Sequence, residues 1–301
     1  MSAAGTKALT LVVVTHNSAA WMPEFFRTWW AAVAAAANLR AGDVEVVVAD
    51  SGSTDDTLAV VGRIAGAEVR TVSCGDVGYG AAANRGAAMT TAPWLLVCNP
   101  DVTFPADFVR QLIDPLLAPP SKESPLWHGA ACIGPRLLNP DGSVQASVGA
   151  FPTIRAVVAD QFRVRTRRKY TWPQPATAGL VDWAAGACLL LRREKFMAVG
   201  GFDEQFFLYV EEVDLQRRLW AIHSQTWFAP EASVTHLWPN AARAPRAPVQ
   251  KWAARGLLRY FAKHGTAAEL WGYRVLALLA GRLAIGEALL SRRAIVARST
   301  K

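Results

Sequence analysis

"VEVVVADSGSTDDTLAVVGRIAG", Val44 to Gly66, changes periodicity within a few residues. Val44 to Asp50 is a short apolar run ending in an acid, which reads as a strand buried on both faces. Ser51 to Asp56 is small and polar, and a helical segment follows, with Ser53 as its expected N-cap and acids in the first turn. A buried strand, a polar loop and a helix make half of a βαβ unit. The same unit recurs on both sides. "LTLVVVTHNS" (Leu9 to Ser18) is a strand with a polar end, and "AAWMPEFFRTWWAAVAAAA" follows as a helix with Pro23 near its first turn, where proline is tolerated. Downstream come the strand "AEVRTVS", the helix "GYGAAANRGAAMTTA", the strand "WLLVCNP" and a helix opened by Pro105. This alternation predicts an α/β fold, a mostly parallel sheet with helices on both faces. Ligands bind such sheets at the carboxyl ends of the strands. The candidate site is therefore Thr15 to Ser18, Asp50 to Asp55 and Asn99 to Asp101.

The 301 residues are 52% apolar and 19% charged, which suits a sizeable core and excludes general disorder. Cys74, Cys98, Cys132 and Cys188 form no CxxC pair, so buried, reduced thiols are expected rather than disulfides or zinc. Met1 to Lys7 is short and polar and does not read as a signal peptide. Between 118 and 182 the pattern is less regular. "PRLLNPDGSVQAS" reads as a strand pair around the turn Asn139-Pro140-Asp141-Gly142, "RVRTRRKYTWPQP" as a mobile basic loop, and "WAAGACLLLRR" as another core strand.

The net charge of +8 is unevenly placed. Residues 241–301 hold twelve Lys and Arg against Glu269 and Glu287, a balance of +10, and subtracting this from +8 leaves −2 on residues 1–240. A basic tail on a near-neutral body points to an anionic membrane surface rather than to nucleic acid. Residues 248–297 read as helices without an 18-residue apolar run, and Arg282 at mid-bilayer would cost about 2.5–3.5 kcal/mol. A helix lying on a surface is expected instead. The predicted division is a catalytic domain, 1–240, and a basic helical, membrane-associating segment, 241–301.

Several residues could carry chemistry. Asp50, at a strand end, can accept hydrogen bonds from a nucleobase or ribose, whereas Asp55 and Asp56 could equally serve the helix dipole. "GYGAAANRG" puts small residues at a helix start, where backbone can approach a ligand closely. Ala83 stands where a dinucleotide fingerprint needs its third glycine, which disfavours hydride transfer. Asp101 suits an octahedral Mg²⁺ or Mn²⁺ that also holds a diphosphate, or else caps the next helix. His236, alone in "ASVTHLW", reads first as structural. In "GGFDEQFFLYVEEVDLQRRLW" (Gly200 to Trp220), Glu211, Glu212 and Asp214 follow an aromatic run. Acids favour a helix N-terminus, but a carboxylate beside apolar rings is also desolvated and raised toward use as a general base.

These pieces, in this order over residues 9–240, resemble the inverting family-2 glycosyltransferases of the GT-A fold, especially the bacterial branch that includes rhamnosyltransferases. The resemblance rests on "VVVTHNS", "DSGSTDDT", "GYGAAANRG", "NPDV", "WAAGACLLLRR" and "GGFDEQFFLYVEEVDL". It implies a nucleotide-sugar donor, dTDP-rhamnose or a UDP-sugar such as UDP-galactofuranose, held around Thr15, Asn17, Asp50, Ser53, Asp55, Gly78, Tyr79, Gly80 and Asn84. It implies Mg²⁺ or Mn²⁺ at Asp101 and His236, and a base in the acidic cluster, first Glu212, with Glu211 and Asp214 as the other candidates. It further implies a polyprenyl-diphosphate-linked acceptor at the cytoplasmic face of a bacterial plasma membrane, with the aromatic run packing a sugar ring. The chain departs from the family where Glu211-Glu212 replaces the usual Glu-Asp, where Asp76 replaces an asparagine before "GYG", and where "THN" has histidine instead of tyrosine. A nucleotidyl-transfer protein and a non-enzymatic membrane adaptor are the rival readings from other classes.

Overall fold

The computed structural model describes residues 7–64, 69–119, 126–160, 169–171, 173–237 and 246–298. The strands are β1 (Leu9–Thr15), β2 (Val44–Asp50), β3 (Val69–Ser73), β4 (Trp94–Cys98), β5 (Val102–Thr103), β6 (Cys132–Leu138), β7 (Val144–Gln145), β8 (Val148–Gly149), β9 (Gly179–Val181), β10 (Trp183–Ala184), β11 (Cys188–Arg192) and β12 (Thr226–His236). The helices are α1 (Met22–Ala34), α2 (Thr57–Ile64), α3 (Tyr79–Ala88), α4 (Phe108–Leu112), α5 (Asp114–Leu117), α6 (Ile154–Asp160), α7 (Arg193–Ala198) and α8 (Glu211–Ala221). A C-terminal group follows, α9 (Arg246–His264), α10 (Ala267–Leu279), α11 (Ile285–Ala288) and α12 (Arg292–Ala297).

The first half of the sheet is as expected: β3-β2-β1-β4, all parallel. Every residue of β1 and β4 is buried, as a continuous apolar run requires when both faces are covered. Leu9, Leu11 and Val13 pack with α1 on one face, and Val12 and Val14 pack with α3 on the other. Because β2 and β4 lie on opposite sides of β1, the strand order reverses at the carboxyl ends of β1 and β4. That crevice is where an open α/β sheet takes its ligand.

Beyond β4 the parallel expectation fails. β11 runs antiparallel to both β4 and β6, while β12 is parallel to β6 and antiparallel to β5. An apolar run buried on both faces shows the same pattern in either direction, so periodicity could not reveal the reversal. "WAAGACLLLRR" is also two strands, with Ala185 to Ala187 between them, and β10 leaves the main sheet to pair with β8. The hairpin around Asn139 to Gly142 forms as expected, from β6 and β7. Pro105 does not open a helix; α4 starts at Phe108 and breaks at Ile113, ahead of Pro115. The four cysteines are buried free thiols, and burial pushes that of Cys132 up to about 12. Most of the basic stretch 163–175 lies outside the described residues, as does the chain on either side of the expected boundary at 240.

The C-terminal helices share a core with the rest of the chain. Leu258 and Phe261 of α9 and Leu270 and Tyr273 of α10 pack with Phe206, Val213 and Trp183. Among the described residues no helix is long and apolar enough to cross a membrane.

Candidate active site

The loops after β1 and β2 are locked together. Asp50 is 1% exposed; its Oδ1 accepts from Thr15 Oγ1 at 2.8 Å and from Ser53 Oγ at 2.5 Å, and its Oδ2 accepts from the Ser53 backbone N–H at 3.0 Å. Ser53 Oγ in turn accepts from the Asn17 N–H at 2.9 Å, and Asn17 Oδ1 accepts from the N–H groups of Thr54 and Asp55. Three of the roughly four acceptor sites of the Asp50 carboxylate are thus taken within the protein. Thr15, Asn17, Asp50, Ser53 and Asp55 meet as expected, but Asp50 forms the floor of the crevice rather than an open hydrogen-bonding edge.

Ser53 is not the cap of α2. That role falls to Asp55, which accepts from the Thr57 N–H at 3.0 Å and the Ala19 N–H at 3.1 Å. Burial works against its charge, yet these donors and the Thr57 hydroxyl hold its carboxyl below the usual range. His16, which carried no signal in the sequence, lies on the rim with Nδ1 2.7 Å from the Ser51 carbonyl oxygen.

The glycine-rich segment departs from its expected role. Gly78 has φ +87°, and a Cβ there would stand 2.1 Å from the Phe207 carbonyl oxygen, so only glycine fits. A Cβ on Gly80 would meet Phe202 at 2.8 Å. Asn84 accepts from the Phe202 N–H at 2.9 Å and donates to the Phe202 carbonyl at 2.8 Å. The small residues and Asn84 therefore bring α3 close to protein, not to a ligand. The Tyr79 hydroxyl donates to the Gly186 carbonyl at 2.7 Å, and burial raises its pKa well above the ordinary value.

Asp101 and His236 are far apart in sequence yet adjacent in space, because β5 and β12 pair with His236 opposite Val102. His236 Nε2 lies 3.4 Å from Asp101 Oδ1, and its Nδ1 lies 2.7 Å from Gln145 Oε1. With Nδ1–H donated to Gln145, the Nε2 lone pair points at the Asp101 side, the arrangement of a metal-binding histidine and its outer partner. Among the described residues no three His, Cys, Asp or Glu groups converge. The donor set thus fits a hard cation that takes two protein ligands and completes its shell with phosphate oxygens and water.

The acidic helix is held in an unusual way. Tyr209 and Val210, just before α8, have φ +70° and +76°. A β-branched residue in the left-handed region is strained by about 1–3 kcal/mol, and such strain concentrates at functional sites. Gly256 of α9 leans on this turn; a Cβ there would meet the Tyr209 carbonyl oxygen at 2.8 Å. Gln216 fastens α8 from below, bonding both the N–H and the carbonyl of Ala184.

The three acids then face three surroundings. Asp214, fully buried, has Lys263 Nζ at 2.5 Å and His264 Nε2 and Arg218 Nε each at 2.8 Å. Burial works against its charge, but His264, Arg218 and Lys263 outweigh that and hold its carboxyl far below the usual range. Asp214 is therefore an anchor for α9, not a base. Burial, reinforced by the neighbouring Glu212, pushes the Glu211 carboxyl well up, and its Oε2 has no hydrogen-bond partner among the described residues. Glu212 meets the half-exposed Lys169 ammonium at 3.5 Å, and its Cβ lies beside Gly186. Lys169 sits over the Tyr170 and Trp183 rings. Burial disfavours its charge, but Tyr170, Glu212 and Glu211 more than compensate, and its pKa is raised. Lys169 belonged to a stretch read only as a basic loop, and no sequence signal placed it here.

Of the aromatic run, Phe206 and Phe207 do not offer a sugar platform, while Tyr209 is half-buried beside Lys169, Glu211 and Glu212. Phe206 is fully buried under Arg259 and Lys263, and Phe207 packs on Trp252 with ring centroids 5.1 Å apart. The rings form the seam with α9. Short links connect the parts of the site: the Asn99 N–H donates to the Ala187 carbonyl at 2.9 Å, and Gly186 adjoins both Tyr79 and Glu212.

The profile of glycosyl transferase family 2 matches residues 10–122. The chain is 29% identical over 313 aligned positions to the N-acetylglucosaminyl-diphospho-decaprenol L-rhamnosyltransferase of Mycobacterium tuberculosis, covering 96% of this chain and 95% of that protein. A shorter stretch, 28% of this chain, is 31% identical to Rhamnosyltransferase WbbL of Escherichia coli K12. Among solved structures, GalNAc-T7 with UDP, GalNAc and Mn²⁺ superposes with a TM-score of 0.60 at 15% identity, over 96% of this chain and about half (52%) of that one. The mannosyltransferase PcManGT of Pyrobaculum calidifontis, in complex with GDP-Man and Mn²⁺, gives 0.55 at 18% identity, over 97% and 79%. With the crevice at β1 and β4, the paired Asp101 and His236 and the acids of α8 in that frame, the chain has the GT-A fold, and its residues 10–122 are similar to glycosyl transferase family 2.

Proposed function

We propose that the protein transfers L-rhamnose, with inversion, from dTDP-rhamnose to a polyprenyl-diphosphate-linked sugar at the cytoplasmic face of a bacterial plasma membrane. The choice of donor and acceptor rests on the near full-length similarity to the mycobacterial rhamnosyltransferase. The observation that carries the chemistry is the crevice itself, with Asp101 and His236 at one wall and Glu212 at another, joined through Ala187 and Gly186. The locked loops after β1 and β2 cradle the nucleotide. Asp101 and His236 would hold the Mg²⁺ or Mn²⁺, whose charge, when bound, stabilises the departing diphosphate. Glu212 takes the proton of the acceptor hydroxyl as its oxygen attacks the anomeric carbon opposite the leaving group. Burial and the neighbouring Glu212 push the Glu211 carboxyl well up, which disfavours a second negative charge beside Glu212.

The experiment is transfer from dTDP-rhamnose, UDP-galactofuranose and UDP-hexoses to a short-chain polyprenyl-diphosphate N-acetylglucosamine, with product detected by mass. Product from a UDP-sugar alone shifts the donor; diphosphate release with a nucleotidyl product and no glycoside overturns the reading. Donor at 100 times its dissociation constant should add about 2.7 kcal/mol of stability in the presence of metal. Asp101→Ala should remove the metal-dependent part of that gain while the unliganded protein melts as wild type does. An undiminished metal-dependent gain in the variant would separate Asp101 from the metal.

A further inference from the structure

The four most exposed large apolar side chains among the described residues are Trp271 (67%), Leu279 (83%), Ile285 (71%) and Leu289 (76%). All lie within one short stretch, on α10 and in and just after α11. On α10, Ala268, Trp271, Val275 and Leu279 follow the three-to-four spacing of one helix face and are exposed or half-exposed. Trp271 and Leu279 are about 12 Å apart along the axis. Ile285 and Leu289 continue the ridge past the turn at Gly281. A protein that stays free in water rarely assembles its greasiest exposed groups in one place.

The surrounding charge identifies what covers the ridge. Residues 267–298 hold five arginines and two acids. Arg274 donates to the Leu290 carbonyl and Arg292 to those of Ala262 and Gly265, whereas Arg293 and Arg298 are exposed. Both acids are engaged internally: Glu269 closes a capping box with Thr266, and Glu287 pairs with Arg255 at 2.7 Å. An apolar ridge bordered by cations repels a second copy of itself and complements an anionic lipid surface. The cations of α9 cannot serve in this way, because Arg259 and Lys263 are turned inward onto Asp203. Of the segment's aromatics Trp252, Trp271 and Tyr273, two cannot serve either: Tyr273 is buried with its hydroxyl on the Ala254 carbonyl, and Trp252 packs on Phe207. Trp271 alone of the three faces outward, as an interfacial anchor does.

We infer that Trp271, Leu279, Ile285 and Leu289 form an edge that embeds in the headgroup layer of an anionic bilayer, with the exposed Arg293 and Arg298 on its phosphates. The inference rests on the proposed lipid-linked acceptor and gives that reading a geometry. α10 packs on α9, α9 leans on the Tyr209–Val210 turn, and that turn opens α8. The embedded edge therefore holds Glu212 at a fixed height above the membrane.

The test compares wild type with Leu279→Ser/Ile285→Ser/Leu289→Ser, which changes no charge and touches only exposed positions, on vesicles of phosphatidylcholine with and without phosphatidylglycerol. Wild type should co-sediment with the anionic vesicles, and the triple variant should lose at least tenfold in partitioning. Transfer to a water-soluble acceptor should stay within twofold of wild type, while transfer to an acceptor embedded in vesicles falls. Equal partitioning of the two proteins overturns the inference. So does a wild-type dimer in analytical ultracentrifugation that the triple variant dissociates while neither protein binds vesicles. Absence of sugar transfer by both proteins from every donor would count against the functional reading alone, and the partitioning result would still decide the edge.

Discussion

Glu212→Gln should lower kcat for sugar transfer by about 10²–10⁴, with donor affinity and melting temperature close to wild type. That is about 2.7–5.5 kcal/mol on the barrier. The substitution keeps size and removes the proton acceptor at the carboxylate of α8 that lies beside Gly186 and Lys169. Glu211→Gln is the contrasting variant. The Glu211 carboxyl is pushed well up by burial and by the neighbouring Glu212, so its ionised form is disfavoured and glutamine replaces it with a side chain of the same shape. Its kcat should change by less than tenfold. Lys169, beside Glu212, has to let the acceptor hydroxyl approach, so the KM for acceptor is measured separately from kcat. An inactive Glu211→Gln together with an active Glu212→Gln would exchange the two roles.

How much of this was legible in the sequence depended on whether a feature is local. The four strands β1 to β4 and their helices follow from short apolar runs that end in polar residues, and their parallel packing follows from the alternation. β11 could not be oriented, because a strand buried on both faces has no sidedness to read. Asp101 was singled out by its place at a strand end, and His236 only through the resemblance; the β5–β12 pairing that brings them together is long-range. Gln145, which sets the tautomer of His236, gave no signal, since nothing in "GSVQAS" distinguishes it. Phe206, Phe207 and Asn84 were misread for one reason. Composition shows that rings or an amide must meet something, but not whether that is a sugar or another part of the chain. The C-terminal cations were counted correctly and divided wrongly. Arg259 and Lys263 of α9 face acids of the first 240 residues, Arg274 and Arg292 donate to carbonyls within the C-terminal group, and Arg293 and Arg298 are exposed.

The division of those cations makes Asp214 the residue on which the catalytic helix depends most for stability. Asp214→Asn should destabilise the protein by about 3 kcal/mol, the low end of the cost of breaking a buried ion pair. The low end applies because the cations keep other acceptors: Arg218 donates to the Val199 and Gly201 carbonyls at 2.6 and 2.7 Å, and Lys263 keeps Asp203. For a chain of this size the melting temperature should fall by roughly 6–12 °C. The effect has a pH signature. The folded-state pKa of Asp214 is depressed, so its contribution is fully present above the unfolded value of about 3.9 and is lost as pH falls toward the folded value. The stability gap between wild type and variant, from denaturant unfolding, should be flat from pH 8 to 5 and narrow below about pH 4. Because Asp214 ties α8 to Lys263 and His264 at the end of α9, hydrogen exchange in the variant should quicken in α9 before it does in β1 or β4. A gap that stays constant into acid, or an unchanged melting temperature, would show that Arg218 and Lys263 do not depend on the Asp214 carboxylate and would overturn its role as the anchor of α9.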